Sequence, residues 1–271
     1  MRIGLAQMDI LWENIMENKK KTEDFFQSAR ENQVDILVFP EMTLTGFSMN
    51  VEKTTETREE QIHIFQDLTE KYEVAAVFGY PKEISPKERE EHPDWKSDHN
   101  MLAFMDKGKI LLNYAKIHPF TYGQEGEYFQ GGEKILQLKW NGINVGAFIC
   151  YDLRFPEIFQ ISSGSSEVIF VIANWPENRI AHWDCLLQAR AIENQCYIVG
   201  VNRTGEGGGL IYNGHSAIYD PTGKRLTTFT EQEALLIGDI DSDLVQNVRT
   251  HFPVKKDRRE ELYQKNNRVF V

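Results

Sequence analysis

The sequence has few cysteines, and this scarcity excludes two classes of protein. Its 271 residues include three cysteines, an odd number that does not indicate a disulfide framework. No CxxC pair and no cluster of cysteine and histidine has the spacing of a zinc site. We therefore expect neither a disulfide-stabilised scaffold nor a structural metal ion.

Basic residues are also scarce relative to acidic ones. The chain has 30 Lys and Arg against 41 Asp and Glu, which gives a net charge of −11. Nucleic-acid affinity depends on the neutralisation of phosphates by basic side chains. The short basic runs Lys19–Lys21 and Lys255–Arg259 are interpreted as solvated surface. No nucleic-acid partner is therefore predicted.

Long apolar runs are missing as well. No run approaches the length of about 18 residues that a membrane-spanning helix needs. The N-terminus turns polar by Gln7, too early for the core of a signal peptide. These features predict no membrane partner and a cytoplasmic location. No repeat or low-complexity linker divides the chain, so one domain over residues 1–271 is predicted.

Short apolar runs that alternate with amphipathic stretches predict an α/β domain. Strands are predicted at 3–9, 35–39, 74–80, 168–173, 196–201 and 235–239. Helices are predicted at 12–32, 59–72, 182–195 and 243–250. Hairpins are predicted for 101–105 with 110–114, 135–140 with 143–149, and 212–219 with 226–229, and a surface loop for 85–98. This mixture favours a mixed sheet, or two packed sheets with helices outside.

Three polar residues stand where predicted strands end. Glu41, Lys116 and Cys150 each come directly after an apolar run. The ends of sheet strands are where open α/β folds place their active sites. Taken singly, such a cysteine is more often a small core residue, and such a glutamate or lysine a solvated loop residue. Their combination is what predicts chemistry.

The trio suits the hydrolysis of an amide or a nitrile. Cys150 attacks the carbon as a thiolate, and Glu41 takes the thiol proton and returns it to the leaving ammonia. Lys116 and a backbone N–H next to Cys150 stabilise the oxyanion of the tetrahedral intermediate. Water then hydrolyses the thioester with Glu41 as base. This cycle requires no metal and no organic cofactor.

Three segments resemble, in the same order, the signature segments of the nitrilase or carbon–nitrogen hydrolase superfamily. They are Phe39–Glu41, Lys116–Phe120 and Cys150–Glu157. The resemblance continues through 173–176, 189–195, 202–205, 214–216 and 252–259, so it covers essentially the whole chain. It implies a four-layer αββα sandwich with two packed mixed sheets, paired into a homodimer or a higher homo-oligomer.

The resemblance also implies roles for individual residues. The family's Glu–Lys–Cys triad corresponds to the trio named above. The backbone N–H of Tyr151 would join the Lys116 side chain in the oxyanion hole. A second glutamate of the family lies near the lysine and positions the substrate, and Glu125 fits this role best, with Glu127 as the alternative.

The stretches 174–179 and 202–205 resemble the bacterial omega-amidases most. These enzymes release ammonia from the terminal amide of 2-oxoglutaramate or 2-oxosuccinamate. The expected partner is therefore a small amide that carries a carboxylate, which needs a cation in the pocket. Arg179, Arg203 and Arg154 are the candidates, although an ion pair of Arg154 with Asp152 or Glu157 is the favoured interpretation.

Aromatic residues and the other cysteines complete the predicted site. Trp175 and Phe120 are candidate pocket walls, with core packing as an equal alternative. Cys185 and Cys196 have no matching base nearby in sequence and are interpreted as core residues.

Two other kinds of function stay open. The first is another activity of the same superfamily: a deaminated-glutathione amidase, a carbamoylase or a true nitrilase. The second is a catalytically silent binding protein, which the presence of all three residues disfavours.

Overall fold

The computed structural model describes residues 1–55 and 58–266, so the end of the polar tail lies outside the described residues. The strands are β1 (Arg2–Gln7), β2 (Ile36–Val38), β3 (Ala75–Glu83), β4 (Asp98–Asp106), β5 (Lys109–Ala115), β6 (Gln137–Trp140), β7 (Ile143–Ile149), β8 (Val168–Ala173), β9 (Tyr197–Asn202), β10 (Thr204–Gly207), β11 (Leu210–Asn213), β12 (Ala217–Tyr219) and β13 (Ala234–Asp239).

The helices cover the outer faces of the sheets and connect the strands. They are α1 (Ile15–Glu31), α2 (Val51–Thr55), α3 (Arg58–Tyr72), α4 (Pro86–Glu91), α5 (Glu125–Tyr128), α6 (Pro156–Ser162), α7 (Ile180–Asn194), α8 (Ser242–His251) and α9 (Glu260–Asn266). Short 3-10 helices span Thr121–Gly123, Cys150–Arg154, Glu177–Arg179 and Val254–Asp257. No helix among the described residues is long and apolar enough to cross a membrane.

Two mixed sheets pack against each other. Within the described residues, one sheet has six strands in the order β13-β1-β2-β3-β4-β5, and the other has five in the order β12-β9-β8-β7-β6. Each sheet has a parallel centre, β1-β2-β3 in the first and β7-β8-β9 in the second. Antiparallel strands flank both centres. The predicted pair of packed mixed sheets is therefore confirmed.

The core explains why the predicted strand at 35–39 is apolar from Ile36 to Phe39. Ile36 and Val38 point into the layer between the two sheets. Leu37 and Phe39 point the other way, into the layer between the first sheet and the helices. There the Phe39 ring lies 5.4 Å from Phe65 of α3. A strand buried on both faces has no polar side to alternate with.

Two of the predicted local structures are wrong. Residues 86–91 form α4 rather than a loop, because Ser85 and Glu88 make a reciprocal capping box and Pro86 occupies the first helical turn. The hairpin predicted for 212–219 with 226–229 is replaced by the β10–β11 hairpin. Between β12 and β13 the described residues make one isolated bridge, from Tyr219 to Arg225.

Candidate active site

The three residues at the strand ends form one buried cluster. Glu41 follows β2 and Lys116 follows β5, both in the first sheet, whereas Cys150 follows β7 in the second. The Nζ of Lys116 lies 2.9 Å from Oε1 of Glu41, and their side chains are 1% and 0% exposed. The Glu41 carboxylate also acts on the Cys150 thiol and raises its pKa. The packing of one sheet on the other thus brings thiol, carboxylate and ammonium together.

Glu125 is a further member of this cluster. Its carboxylate accepts from Nζ of Lys116 at 2.8 and 3.1 Å and also accepts from the backbone N–H of Phe120. The residue is fully buried at the start of α5. Glu127, its rival in the sequence, is exposed two residues further on. The structure therefore places Glu125 rather than Glu127 beside the lysine.

Two asparagines that sequence reasoning missed hold the carboxylates. Nδ2 of Asn100 donates to Glu41 at 2.7 Å and to Glu125 at 2.8 Å. The backbone N–H of Asn174 donates to Oε2 of Glu41 at 2.9 Å, and its Nδ2 donates to the Glu41 carbonyl at 2.6 Å. Buried carboxylates need such donors, because an unpaired buried charge is strongly destabilising. Of the two asparagines, only Asn174 could have been found from the sequence, because it lies within a segment that resembles the superfamily.

The cluster shifts the pKa values of three of its members, Lys116, Glu125 and Cys150. Burial alone would lower the pKa of Lys116, but Glu125 and Glu41 on either side raise it well above its ordinary value. Burial raises the pKa of Glu125 against the opposing effect of Lys116. Burial and the Glu41 charge raise the pKa of the Cys150 thiol, which Lys116 opposes. The thiol therefore keeps its proton until a base removes it.

The backbone at Cys150 is unusual. Its φ of +46° lies in the left-handed region, which few residues with a side chain adopt. Cys150 begins a 3-10 helix, so the N–H of Tyr151 lies in the first turn, where it has no acceptor within the helix. Asp152 fixes this turn, because its buried carboxylate accepts from Ile149 N at 3.1 Å and from the Tyr114 hydroxyl at 2.8 Å.

The cluster opens into a cleft at the surface. Its lining residues are Phe47, Phe120, Cys150, Tyr151, Arg154, Asn174, Trp175, Pro176, Arg179, Leu210 and Tyr212. This set contains two arginines and, among the described residues, no aspartate or glutamate. Trp175 and Phe120 do line the cleft, as predicted for pocket walls. The surface presented to a ligand is thus apolar with two cations.

The two arginines of the cleft are held by aromatic rings. The Arg154 guanidinium lies 4.6 Å above the Trp175 ring and 3.3 Å from Nδ1 of His182. The expected ion pair of Arg154 with Asp152 is wrong, because the Asp152 carboxylate is buried and occupied elsewhere. The Arg179 guanidinium lies 5.5 Å from the Phe120 ring. Burial and the nearby Arg179 charge lower the pKa of Arg154.

Arg203 is the candidate that the structure does not bring into the cleft. It is fully buried, and its guanidinium donates to the carbonyl oxygens of Thr204, Ile10 and Glu206 at 3.0, 2.6 and 2.9 Å. The prediction that Arg203 contacts a substrate carboxylate is therefore wrong, because the side chain is buried, does not line the cleft, and uses its Nε and Nη2 donors on backbone carbonyls.

The remaining cysteines and possible metal ligands lie outside this cluster. Cys196 is buried as predicted, whereas Cys185 is exposed and not a core residue. Within residues 1–55 and 58–266, no group of three or more His, Cys, Asp or Glu side chains is arranged to hold a metal ion.

Known proteins match nearly the whole chain. The sequence pattern described as carbon–nitrogen hydrolase matches residues 2–250. The 2-oxoglutaramate amidase of Bacillus subtilis is 32% identical over 265 residues, which cover 96% of this chain and 98% of the relative. A protein of Staphylococcus aureus described as a hydrolase in the agr operon is 30% identical over 270 residues, which cover 97% and 100%.

Solved structures share the fold. A carbon–nitrogen hydrolase superfamily protein from Xanthomonas campestris, whose crystal structure has an arsenic adduct in the active site, superposes with a TM-score of 0.83 at 26% identity. The match covers 95% of this chain and 97% of that protein. The αββα sandwich implied by the sequence resemblance is therefore confirmed.

Proposed function

The chain belongs to the carbon–nitrogen hydrolase family, and from this premise we propose that it is an omega-amidase that releases ammonia from the terminal amide of 2-oxoglutaramate or 2-oxosuccinamate. One observation carries the proposal. A single cleft joins the Cys150 thiol to Arg154 and Arg179, and its described lining contains no carboxylate that would compete for them. A linear amide with an anionic far end matches both ends of this cleft.

The first half-reaction forms a thioester. Glu41, whose charge acts on the thiol, takes the thiol proton as the sulfur attacks the amide carbon. The oxyanion that forms on the amide oxygen is stabilised by the Lys116 ammonium and by the N–H of Tyr151. Glu41 then gives its proton to the amide nitrogen, the carbon–nitrogen bond breaks, and ammonia leaves. Cys150 is left with an acyl group on sulfur.

The second half-reaction uses the same groups with water as nucleophile. Glu41 takes a proton from the water as its oxygen attacks the thioester carbon. The carbon–sulfur bond breaks, the thiolate regains the proton from Glu41, and the carboxylic acid that forms releases its own proton to solvent and leaves as the carboxylate. Because the thiol pKa is raised by burial and by Glu41, its return to the protonated state is favourable.

Glu125 supports this cycle by holding Lys116. With one carboxylate on each side, at 2.9 Å and 2.8 Å, the ammonium has a fixed position and a fixed charge. A cation that does not need to reorganise as charge develops is an effective oxyanion partner. We assign Glu125 to positioning of the lysine and, through it, of the substrate amide.

The far end of the substrate is assigned to the two arginines. Arg154 and Arg179 both face the cleft, and the positive charge of Arg179 lowers the pKa of Arg154. An anion between them would remove this repulsion and accept charge-assisted hydrogen bonds from either guanidinium. Trp175 and Phe120 hold the guanidinium groups from the side and form the apolar walls.

The proposal is tested by ammonia release from a panel of compounds. We expect kcat/KM for 2-oxoglutaramate and 2-oxosuccinamate to exceed that for the uncharged butyramide by about 10²-fold, since a bidentate charged contact is lost with the latter. Turnover of a carbamoyl compound or a nitrile but of neither 2-oxo amide would overturn the omega-amidase assignment. Mass spectrometry of the acyl adduct on Cys150, with Cys150→Ala as control, tests the nucleophile separately.

The homodimer or higher homo-oligomer and the cytoplasmic location stay proposals from the sequence. Sedimentation of the purified protein would decide the first of them.

A further inference from the structure

The β10–β11 hairpin belongs to neither large sheet and forms one side of the cleft. It pairs Thr204 with Asn213 and Gly207 with Leu210. Leu210 and Tyr212 line the cleft, whereas Ile211 between them is exposed. Because side chains alternate along a strand, one face of the hairpin serves the cleft and the other faces outward.

Arg203 holds this hairpin in place. Its guanidinium donates to Thr204 and Glu206 of the first strand and to Ile10 of the segment after β1. Its remaining nitrogen, Nη1, is buried without a hydrogen-bond partner among the described residues. The rigid fork of a guanidinium suits such a brace, since several donors at fixed angles join separate chain segments.

The same guanidinium supports the aromatic ring of Tyr212. Its carbon lies 4.5 Å from the centre of that ring. Tyr212 is 3% exposed, and its hydroxyl has no hydrogen-bond partner among the described residues. It lines the same cleft as Cys150, Arg154 and Arg179.

The Tyr212 hydroxyl is a neutral donor at any working pH. Burial raises its pKa to about 12, although Arg203 opposes this. A substrate that stretches from the thiol to the arginines occupies the cleft that Tyr212 lines. In a 2-oxo amide, the acceptor between the amide and the carboxylate is the 2-oxo oxygen.

We propose that Tyr212 binds the 2-oxo oxygen of the substrate and that Arg203 is the positioning residue that holds Tyr212 at the cleft. This inference rests on the omega-amidase function proposed above and assigns its preference for 2-oxo acids to two residues.

The first test compares two amides of equal length that differ at one group, 2-oxosuccinamate and succinamate. We expect Tyr212→Phe to lower the preference for the 2-oxo amide by about tenfold, mostly through KM, since one hydrogen bond is lost in ground and transition states alike. The intrinsic reactivities of the two amides cancel in this ratio. Tyr80→Phe is the matched control, because the Tyr80 hydroxyl donates to Asn113 at 3.0 Å outside the cleft.

The second test separates positioning from direct contact. We expect Arg203→Lys to lower the same preference, and the double variant with Tyr212→Phe to lower it no further than Tyr212→Phe alone, because the effect passes through Tyr212. Arg203→Ala tests the same point should the lysine variant fold poorly, and urea unfolding identifies such a failure.

Each outcome has a distinct consequence. An unchanged preference in Tyr212→Phe overturns the role of Tyr212 while the amidase function stands. Additive losses in the double variant overturn the positioning role of Arg203. Turnover of neither amide by the wild type overturns the omega-amidase proposal and this inference with it.

Discussion

Lys116 and Arg203 are both buried cations, yet their surroundings differ. The Lys116 ammonium lies between two buried carboxylates, at 2.9 Å from Glu41 and 2.8 Å from Glu125. The Arg203 guanidinium donates to backbone carbonyls instead, and its nearest carboxylate, Asp9, is 3.7 Å away and partly exposed. Burial of either charge without partners would be strongly unfavourable. Both buried cations therefore have hydrogen-bond acceptors, which are carboxylates for Lys116 and backbone carbonyls for Arg203.

The difference in acceptors corresponds to a difference in use. Carbonyl oxygens bind a guanidinium but exchange no protons with it, so Arg203 serves to join chain segments. A carboxylate can accept and donate a proton, and one of the two around Lys116, Glu41, also acts on the Cys150 thiol. A buried cation among carboxylates thus indicates chemistry, whereas one among carbonyls indicates architecture. Four predictions test this comparison, and they are given from the largest expected effect to the smallest.

The largest effect is expected from Lys116→Met. This change leaves two carboxylates facing each other and removes an oxyanion donor, so kcat/KM should fall by about 10³-fold and stability by about 3–5 kcal/mol. Arg203→Met, as its counterpart, should lose stability but keep kcat within about tenfold, since no reacting group is touched. Ammonia release and urea unfolding give the two quantities. Comparable kcat losses in both variants would contradict the distinction.

The next effect is expected from Glu125→Gln. The variant keeps the side-chain shape but removes one of the two charges that fix Lys116, so kcat should fall by about 10²-fold with little change in unfolding. Glu127→Gln is a matched control, because Glu127 is exposed in the same short helix. Equal activities of the two variants would exclude Glu125 from the site.

A smaller, pH-dependent effect is expected at the thiol. The raised pKa of Cys150 means that the thiolate fraction is small near neutral pH and grows with pH. Labelling of Cys150 by a neutral thiol reagent should therefore rise about tenfold per pH unit from about pH 6 to 9. Peptide mass spectrometry measures the rate, with the exposed Cys185 as internal comparison. A rate that is already maximal at pH 6 would mean that Lys116 stabilises a preformed thiolate.

The sequence predicted the part of this comparison that depends on strand ends. Glu41 and Cys150 follow buried strands and Lys116 follows the half-exposed edge strand β5. The apolar runs that mark these strands are visible without a structure. Asn100 was missed for a physical reason. Counted from the β4–β5 turn, the residue opposite Lys116 is His99, but a bulge between Phe104 and Met105 shifts the register by one residue. A bulge has no reliable sequence signature, and it moves every later side chain to the other face.

Arg203 shows the opposite failure. Its place in a segment that resembles the omega-amidases suggested a substrate ligand, yet the side chain points into the protein. Whether Arg203 faces the cleft depends on the β10–β11 hairpin. The local sequence pattern instead predicted that 212–219 pairs with 226–229. Two glycines of that hairpin, Gly207 and Gly208, leave room for the ring of Trp12, a residue that is distant in sequence.

The smallest effect is expected from Gly207→Ala. This change adds one methyl group beside Arg203 and so tests how Arg203 packs against the hairpin. An added Cβ would lie 2.6 Å from Nη1 of Arg203 and 2.8 Å from the Trp12 ring, so the hairpin must move. We expect a loss of about 1–3 kcal/mol in stability and a KM for 2-oxosuccinamate raised about twofold to threefold, as one wall of the cleft shifts.

Gly209→Ala is the control, because it adds the strain of a φ of +76° but meets no atom within 4 Å. Urea unfolding should show a loss in both variants, whereas only Gly207→Ala should raise KM. If Gly209→Ala raised KM equally, the hairpin would respond to backbone strain rather than to the packing of Arg203, and the contrast with Lys116 would need a different physical basis.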